Sequence, residues 1–200
     1  MPRRTFFSFH YGPDVWRAWN VRNSWVVRRD DKEDQGFFDS SVFEASKRVG
    51  DEALKRFLSK GLENTSVTCV LAGANTWRRR WVRYEIARSI MKGNGLLTVF
   101  IHGVRDNNQE LSAKGANPLA QMGLYRTARG IFLAEWSAGK WIAYGDYTLA
   151  IPESDLWFAP PQTDRPVQLS THCLSYDFAG QNGHKDIGEW IEIAAGMAGR

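Results

Sequence analysis

The sequence predicts an α/β fold in which a parallel sheet is covered by helices on both faces. Three observations predict it. Short apolar runs rich in β-branched and aromatic residues have the length of buried strands, and segments with helical periodicity alternate with them. The chain has 200 residues, 43% of them hydrophobic, enough for the core of one domain. The resulting order, β-α-β-α-β-α-β, is typical of parallel sheets.

The first half of the chain supplies most of these elements. Residues 4–9 predict the first strand. A helix is expected from Pro13 to Arg28, with an approximate apolar stripe formed by Val15, Trp16, Trp19, Val26 and Val27. A second short strand is expected near residues 36–39 and a helix over residues 51–60. Residues 66–71 predict a central strand because they are β-branched and apolar.

A second helix–strand pair follows. Val82, Ile86 and Ile90 recur at four-residue spacing within residues 77–91, which predicts a helix with one face toward the core. Residues 96–101 predict the next buried strand.

The pattern is weaker beyond residue 102. Residues 103–130 indicate a long loop, and residues 131–136 and 140–144 indicate two strands joined by a turn. Residues 152–166 look irregular, and residues 185–195 predict a closing helix. We therefore expect a main domain over residues 1–150 and a C-terminal extension over residues 151–200 packed on the same domain.

Composition excludes several classes of protein. No apolar stretch approaches the roughly 20 residues of a membrane span. Two cysteines are too few for a disulfide framework, no ligand spacing indicates a metal site, and a cytoplasmic location is expected. Residues 1–100 carry 18 basic against 11 acidic side chains, whereas residues 101–200 carry 8 against 11. The N-terminal half is therefore the better place for an anionic ligand.

The segment around Glu85 carries the most chemistry. In a helix, Trp81 and Glu85 are one turn apart on a flank beside the buried stripe, where a carboxylate could grip a ribose diol and an aromatic face could pack on a ring. A surface glutamate paired with Arg78, Arg88 or Ser89 explains the same spacing. The run of arginines that includes Arg80 is explained by a solvated face or by contact with a pyrophosphate.

Two loops after predicted strands are further candidates, since ligands bind at the carboxyl ends of strands in open α/β sheets. The first contains His10, either a proton donor or a solvated loop histidine, and the second contains Asp39 and Ser40, which could bind a ligand or cap a helix. No GxGxxG, phosphate-loop or GxSxG pattern is present, and Cys173 beside His172 is too little for a thiol nucleophile.

Several segments together resemble the TIR-like proteins of Thoeris anti-phage systems. They are RTFFSFHY at 4–11, VRNSW at 21–25, GLENTSVTCVL at 61–71, RRWVRYEI at 79–86, KGANP at 114–118 and EWSAGKW at 135–141. The resemblance covers most of residues 4–145, and the tail after about residue 151 matches poorly. The pairing of WVxxEI with SFHY at the first strand is more specific than WVxxEI alone.

The resemblance implies a flavodoxin-like, TIR-like sheet and the breakdown of NAD⁺. It places the family's catalytic glutamate on Glu85 and its neighbouring tryptophan on Trp81, with Phe9, His10, Tyr11, Asp39 and Ser40 bordering the nucleotide. It also implies synthesis of a cyclic ADP-ribose isomer on infection, with NAD⁺ as substrate and no cofactor. The resemblance further implies a phage-derived trigger and a companion effector that the product activates. It also implies a homo-oligomer.

Other functions are compatible with the same residues. A TIR-like scaffold that binds partners without catalysis is the main alternative. A nucleoside deoxyribosyltransferase also uses a carboxylate at an anomeric carbon. Nucleic-acid binding is not expected, because no recognisable module surrounds the basic residues.

Overall fold

A computed structural model of the chain describes residues 3–26 and 48–200. The helices in these two segments are α1 (Tyr11–Val26), α2 (Asp51–Leu62), α3 (Arg80–Met91) and α4 (Gly183–Met197). The strands are β1 (Thr5–Phe9), β2 (Val67–Ala72), β3 (Gly95–Phe100), β4 (Met122–Thr127), β5 (Gly130–Ser137), β6 (Lys140–Ala143), β7 (Val167–Gln168) and β8 (Leu174–Asp177). None of the helices described is long and apolar enough to cross a membrane.

The central sheet is parallel, with described strands in the order β1-β2-β3-β8. Ser8 of β1 lies opposite Val70 of β2, which lies opposite Thr98 of β3. The strands run in one direction because each is followed by a helix or a long connection that returns the chain to the amino edge. Their carboxyl ends, at Phe9, Ala72 and Phe100 among others, therefore lie along one edge.

Alternate residues of these strands fill two cores, one on each face of the sheet. Phe7, Cys69 and Val99 face α1 and α4, whereas Val70 and Leu96 face α3. The helical stripe of Val82, Ile86 and Ile90 packs into the second core, as the spacing predicts. The predicted fold class, a parallel α/β sheet with helices on both faces, is confirmed.

A second, antiparallel sheet of order β6-β5-β4-β7 packs on the α3 side. The predicted hairpin of β5 and β6 is confirmed, and Ala138 and Gly139 at its turn have φ angles of 47° and 79°, as in the tight turns that suit twisted strands. The prediction of a loop over residues 103–130 is wrong at its end. Pro118–Gln121 is a short 3-10 helix, and β4 follows it.

The buried face of α1 differs from the predicted stripe. Trp16 and Trp19 are 55% and 42% exposed, whereas Asp14 and Arg17 are buried together with Ala18 and Val21. Small and β-branched side chains let the helix approach the sheet closely. The two charged side chains are tolerated there because both are hydrogen-bonded.

The C-terminal residues contribute to the same sheet and core. β8 pairs with β3, from Leu97 opposite Leu174 to Phe100 opposite Asp177. α4 packs Ile187, Ile191 and its neighbours against the face that α1 also covers. The division at residue 150 stays a prediction, and β8 was not predicted.

Candidate active site at the carboxyl edge of the parallel sheet

Glu85 lies in the second turn of α3 and is buried, with 6% of its surface exposed. The helix begins at Arg80, later than predicted. A 3-10 turn, Thr76–Arg78, precedes it, and Arg79 between them has an extended backbone. No ion pair with Arg78 or Arg88 accounts for the carboxyl group, so the interpretation of Glu85 as a surface glutamate is wrong.

The hydroxyl of Ser8 donates a hydrogen bond to Oε2 of Glu85. The two residues are 77 positions apart, and Ser8 is 1% exposed on the face of β1 that α3 covers. Burial raises the pKa of Glu85 from 4.5 to about 8, while the Ser8 hydrogen bond acts in the opposite direction. The carboxyl group is therefore largely protonated at neutral pH in the free protein.

The backbone at Glu85 is also fixed to the sheet. Ser89 Oγ donates to the carbonyl oxygen of Glu85 at 2.7 Å and contacts Thr68 Oγ1 at 2.7 Å. Because the Ser89 hydroxyl uses its proton on Glu85, Thr68 is the donor in the second bond. Asn94 Nδ2 in turn donates to Thr68 Oγ1 at 3.4 Å. This chain of hydrogen bonds holds the turn of α3 that presents Glu85.

Phe9, His10 and Tyr11 form the carboxyl end of β1 and the start of α1. The rings of Phe9 and Tyr11 lie 6.2 Å apart. Burial, together with the positive charge of Arg79, lowers the pKa of His10 to about 4. His10 is thus a neutral imidazole at physiological pH, able to donate or accept a hydrogen bond but not to act as a cation.

A buried cluster around Asp14 borders this edge and was missed by sequence reasoning. Thr76 Oγ1 donates to Asp14 Oδ2 at 3.1 Å and accepts from the backbone of Gly73 at 2.9 Å. Burial raises the pKa of Asp14, against the effects of Thr76, Arg17 and Arg79. The cluster joins the start of α1 to the loop after β2. In the sequence the cluster is visible only as one acid, Asp14, in the first turn of a helix. Solvent-exposed acids are common at the same position, so the pattern does not reveal the burial.

The contacts of Trp81 and Arg80 are with α2, with Tyr84 and with Asp146. Trp81 packs beside Leu54 and Leu58 and meets the ring of Tyr84 edge-on at 6.1 Å. Arg80 lies over the Trp81 ring at 4.7 Å. It also forms a bidentate pair with Asp146, at 2.7 and 2.8 Å, and a third contact with Asp51 at 2.7 Å.

These contacts tie Arg80 to two carboxylates, while its side chain remains 50% exposed, and the pyrophosphate contact considered for Arg80 stays a prediction. Arg79 is the arginine whose charge acts on both His10 and Asp14. Arg79 is therefore a cation beside the carboxyl end of β1, and no spacing distinguished it from its neighbours in the run.

Asp39 and Ser40, the two site residues expected after the second predicted strand, lie outside the described residues, as does that strand. Burial raises the pKa of the Cys173 thiol to about 12, which disfavours the thiolate form that a thiol nucleophile needs. The adjacent His172 stacks on Phe158 at 4.2 Å.

The arrangement supplies one acid with an open oxygen. Oε1 of Glu85 has no hydrogen-bond partner in the described segments, and this oxygen is not fully buried. An aromatic pair, a neutral imidazole and the Arg79 cation lie nearby along the same edge. Such a site can contact hydroxyl groups through Glu85 and stabilise a positive charge that develops beside it.

Comparison with known proteins identifies the family. The family model described as "Thoeris protein ThsB, TIR-like domain" matches residues 6–106. The chain is also 38% identical over 195 residues to the Bacillus cereus (strain MSX-D12) protein named "Putative cyclic ADP-D-ribose synthase ThsB1", covering 96% of this chain and 100% of that one. The match therefore spans β1, α3 and the C-terminal residues alike, and the chain belongs to the ThsB family of Thoeris TIR-like proteins.

Proposed function

We propose that this protein cleaves the bond between nicotinamide and ribose in NAD⁺ and cyclises the ADP-ribose to a cyclic ADP-ribose isomer, with Glu85 as the catalytic carboxylate. The observation that carries the proposal is the buried carboxyl group of Glu85 at the carboxyl edge of a parallel sheet. The name of the Bacillus cereus relative, a putative cyclic ADP-D-ribose synthase, supports the same chemistry.

The chemistry suits a single carboxylate. Cleavage breaks the C–N bond, nicotinamide leaves as a neutral molecule with the bonding electrons, and positive charge grows on the ribose. A carboxylate beside the ribose hydroxyls stabilises this oxocarbenium-like state more than the ground state. The leaving group needs no proton, which suits a site in which His10 is neutral.

Cyclisation follows if a nucleophile of the same molecule reaches the cation before water does. Aromatic side chains that exclude water favour that outcome. We assign this role to Phe9 and Tyr11 and, one turn before the acid, to Trp81. His10 provides a neutral hydrogen-bonding partner for the nucleotide. Asp39 and Ser40 are also proposed to border the nucleotide, and the family resemblance is the support for this.

Arg79 replaces Arg80 as the proposed partner of the pyrophosphate. Its guanidinium charge acts at His10, on the edge where the nucleotide is expected, whereas Arg80 is held by Asp51 and Asp146. Charge-assisted hydrogen bonds from arginine to phosphate oxygens are short and strong.

At the level of the cell, the proposed product is a diffusible signal that activates a companion effector when a phage-derived trigger switches synthesis on. NAD⁺ is the substrate, and no resident cofactor or metal takes part. A cytoplasmic location and assembly into a homo-oligomer belong to the same proposal.

Mass spectrometry of small molecules from phage-infected cells tests the proposal. Cells expressing the unaltered protein should contain a product with the mass of cyclic ADP-ribose, and cells expressing Glu85→Gln should not. Glu52→Gln, which changes an exposed glutamate, is the matched control and should behave as the unaltered protein. Phage protection that persists in Glu85→Gln without any such product would instead favour the scaffold function.

A further inference from the structure

The geometry points to Ser8 as the positioning residue for Glu85: its hydroxyl holds the carboxyl group in one orientation and stabilises its charged form. This inference rests on the proposed function, because it assumes that Glu85 reacts as a carboxylate. Neither the family match nor the relative's name assigns a role to Ser8.

The first argument is the place of Ser8 in the strand. Phe6 and Ser8 share the face of β1 toward α3, because side chains alternate along a strand. Ser8 is 1% exposed, and Val70 lies opposite it in the next strand. A hydroxyl in such an apolar position is costly unless it is bonded. Glu85 is the partner recorded for it in the described segments.

The second argument is the division of labour between the two carboxyl oxygens. Ser8 bonds Oε2, while Oε1 has no partner in the described segments and is not sealed. A hydrogen bond to one oxygen fixes the rotation of the carboxyl group. The other oxygen is thereby directed consistently at whatever occupies the edge of the sheet.

The third argument concerns charge. Titratable side chains on the elements around Glu85 include His10, Arg79, Tyr84 and Arg88. Burial nevertheless raises the pKa of Glu85, and the Ser8 hydrogen bond lowers it. None of these titratable side chains shifts that pKa appreciably. In the described part of the chain, Ser8 is thus the group that favours the carboxylate form.

The test is the pH dependence of the Ser8→Ala variant, measured in two ways. The first is kcat/KM for NAD⁺ cleavage, which reports the ionisation of the free enzyme. The second is the difference in unfolding stability between each protein and its Glu85→Gln counterpart across pH, which reports the same ionisation without requiring activity. Ser8→Cys, with a weaker donor of similar size, replaces Ser8→Ala if the latter does not fold.

We expect Ser8→Ala to shift both profiles by about one pH unit toward higher pH, because a hydrogen bond to a charged group is lost. NAD⁺ cleavage at pH 7 should fall roughly tenfold and recover toward pH 9. Ser8→Thr, which keeps the hydroxyl, should restore the original profile. Thr98→Val is the matched control, because it removes a buried hydroxyl two strands away that bonds Asn117 and not Glu85.

Profiles of Ser8→Ala that coincide with those of the unaltered protein, or move to lower pH, would overturn the inference. An equal shift in Thr98→Val would do the same, since it would show a general effect of destabilisation. Retention of NAD⁺ cleavage by Glu85→Gln would instead refute the proposed function. The stability measurement would then still decide whether Ser8 favours the ionised form of Glu85.

Discussion

Replacing Glu85 by glutamine should stabilise the folded protein, and the gain should grow with pH. Glutamine has nearly the same shape, and its side-chain oxygen can still accept the hydrogen bond of Ser8, but it never ionises. In the unaltered protein, by contrast, the buried acid must stay protonated or, at high pH, carry a charge away from water, and either one costs free energy as the pH rises.

The size of the effect follows from the pKa of Glu85 in the two states. It is about 8 in the folded protein and near 4.5 in the unfolded chain. Below pH 4.5 both states are protonated, and Glu85 contributes no pH dependence. Between these values unfolding releases a proton, so stability falls by about 1.4 kcal/mol per pH unit and levels off above pH 8. Glu85→Gln should therefore gain about 4 kcal/mol at pH 8.5 relative to pH 4.5.

Urea unfolding at several pH values between 4.5 and 9, followed by tryptophan fluorescence, measures this difference. Comparing the two proteins at each pH cancels the other titrating groups. Glu52→Gln, at an exposed position, should show a flat difference. The argument that burial raises the pKa of Glu85 would be refuted by either of two results. One is a Glu85→Gln protein that is no more stable than the unaltered one at pH 8.5, and the other is a gain in stability that does not depend on pH.

Two further predictions concern the surroundings of Glu85. Gly73→Ala places a Cβ 2.3 Å from the Asp14 carboxylate oxygens and should lower the free energy of unfolding in urea by about 2 kcal/mol or more. Gly145→Ala is the control, because its Cβ meets nothing within 4 Å. Equal stability of the two variants would contradict this packing. Arg79→Gln should raise KM for NAD⁺ roughly tenfold, and Arg80→Gln should leave it unchanged, since Arg80 is held by two carboxylates. The reverse order in KM would return the pyrophosphate contact to Arg80.

Three strands of the central sheet, β1, β2 and β3, were predictable because they are buried on both faces. β1, β2 and β3 are continuous apolar runs, and α3 carries its stripe at regular spacing, so local sequence and tertiary environment agree. β4 and β8 were missed for the opposite reason. Only the first half of β4 is buried, and β8 is four residues long and partly exposed, so neither has an apolar pattern that stands out from a loop.

In α1 the pattern is inverted, and the reason is tertiary. The two large aromatic side chains face outward, while Arg17 is buried because it donates to the carbonyl oxygens of Val104 and Glu110, at 2.9 and 2.8 Å, and pairs with Asp106 at 3.2 Å. These partners lie 87 to 93 residues away along the chain. Helical periodicity cannot reveal such contacts, so hydrophobicity alone assigned the wrong face.

The candidate site, like the fold, has a part that local sequence predicts and a part that only tertiary contacts determine. Spacing placed Trp81 and Glu85 on one flank of a helix but left open whether the acid was exposed. Ser8 was recognised only as part of an aromatic strand and of the SFHY motif, since a single hydroxyl in an apolar run has no visible partner in the sequence. Folding brings Ser8 and Glu85 together across 77 residues. The burial of Glu85, which gives the acid its raised pKa, is a property of that contact and of α3 packing on the sheet.

A buried acid that is mostly neutral in the free protein fits the proposed substrate better than a permanent carboxylate would. The nicotinamide ring of NAD⁺ carries a positive charge, and a cation close to Glu85 favours its ionised form. Substrate binding would thus itself charge the acid, with release of a proton. When nicotinamide departs as a neutral molecule, the positive charge passes to the ribose beside the carboxylate, so the attraction is strongest in the transition state. Without substrate, the neutral acid limits the cost of burial at neutral pH, and the open oxygen of Glu85 needs no counter-ion from the protein.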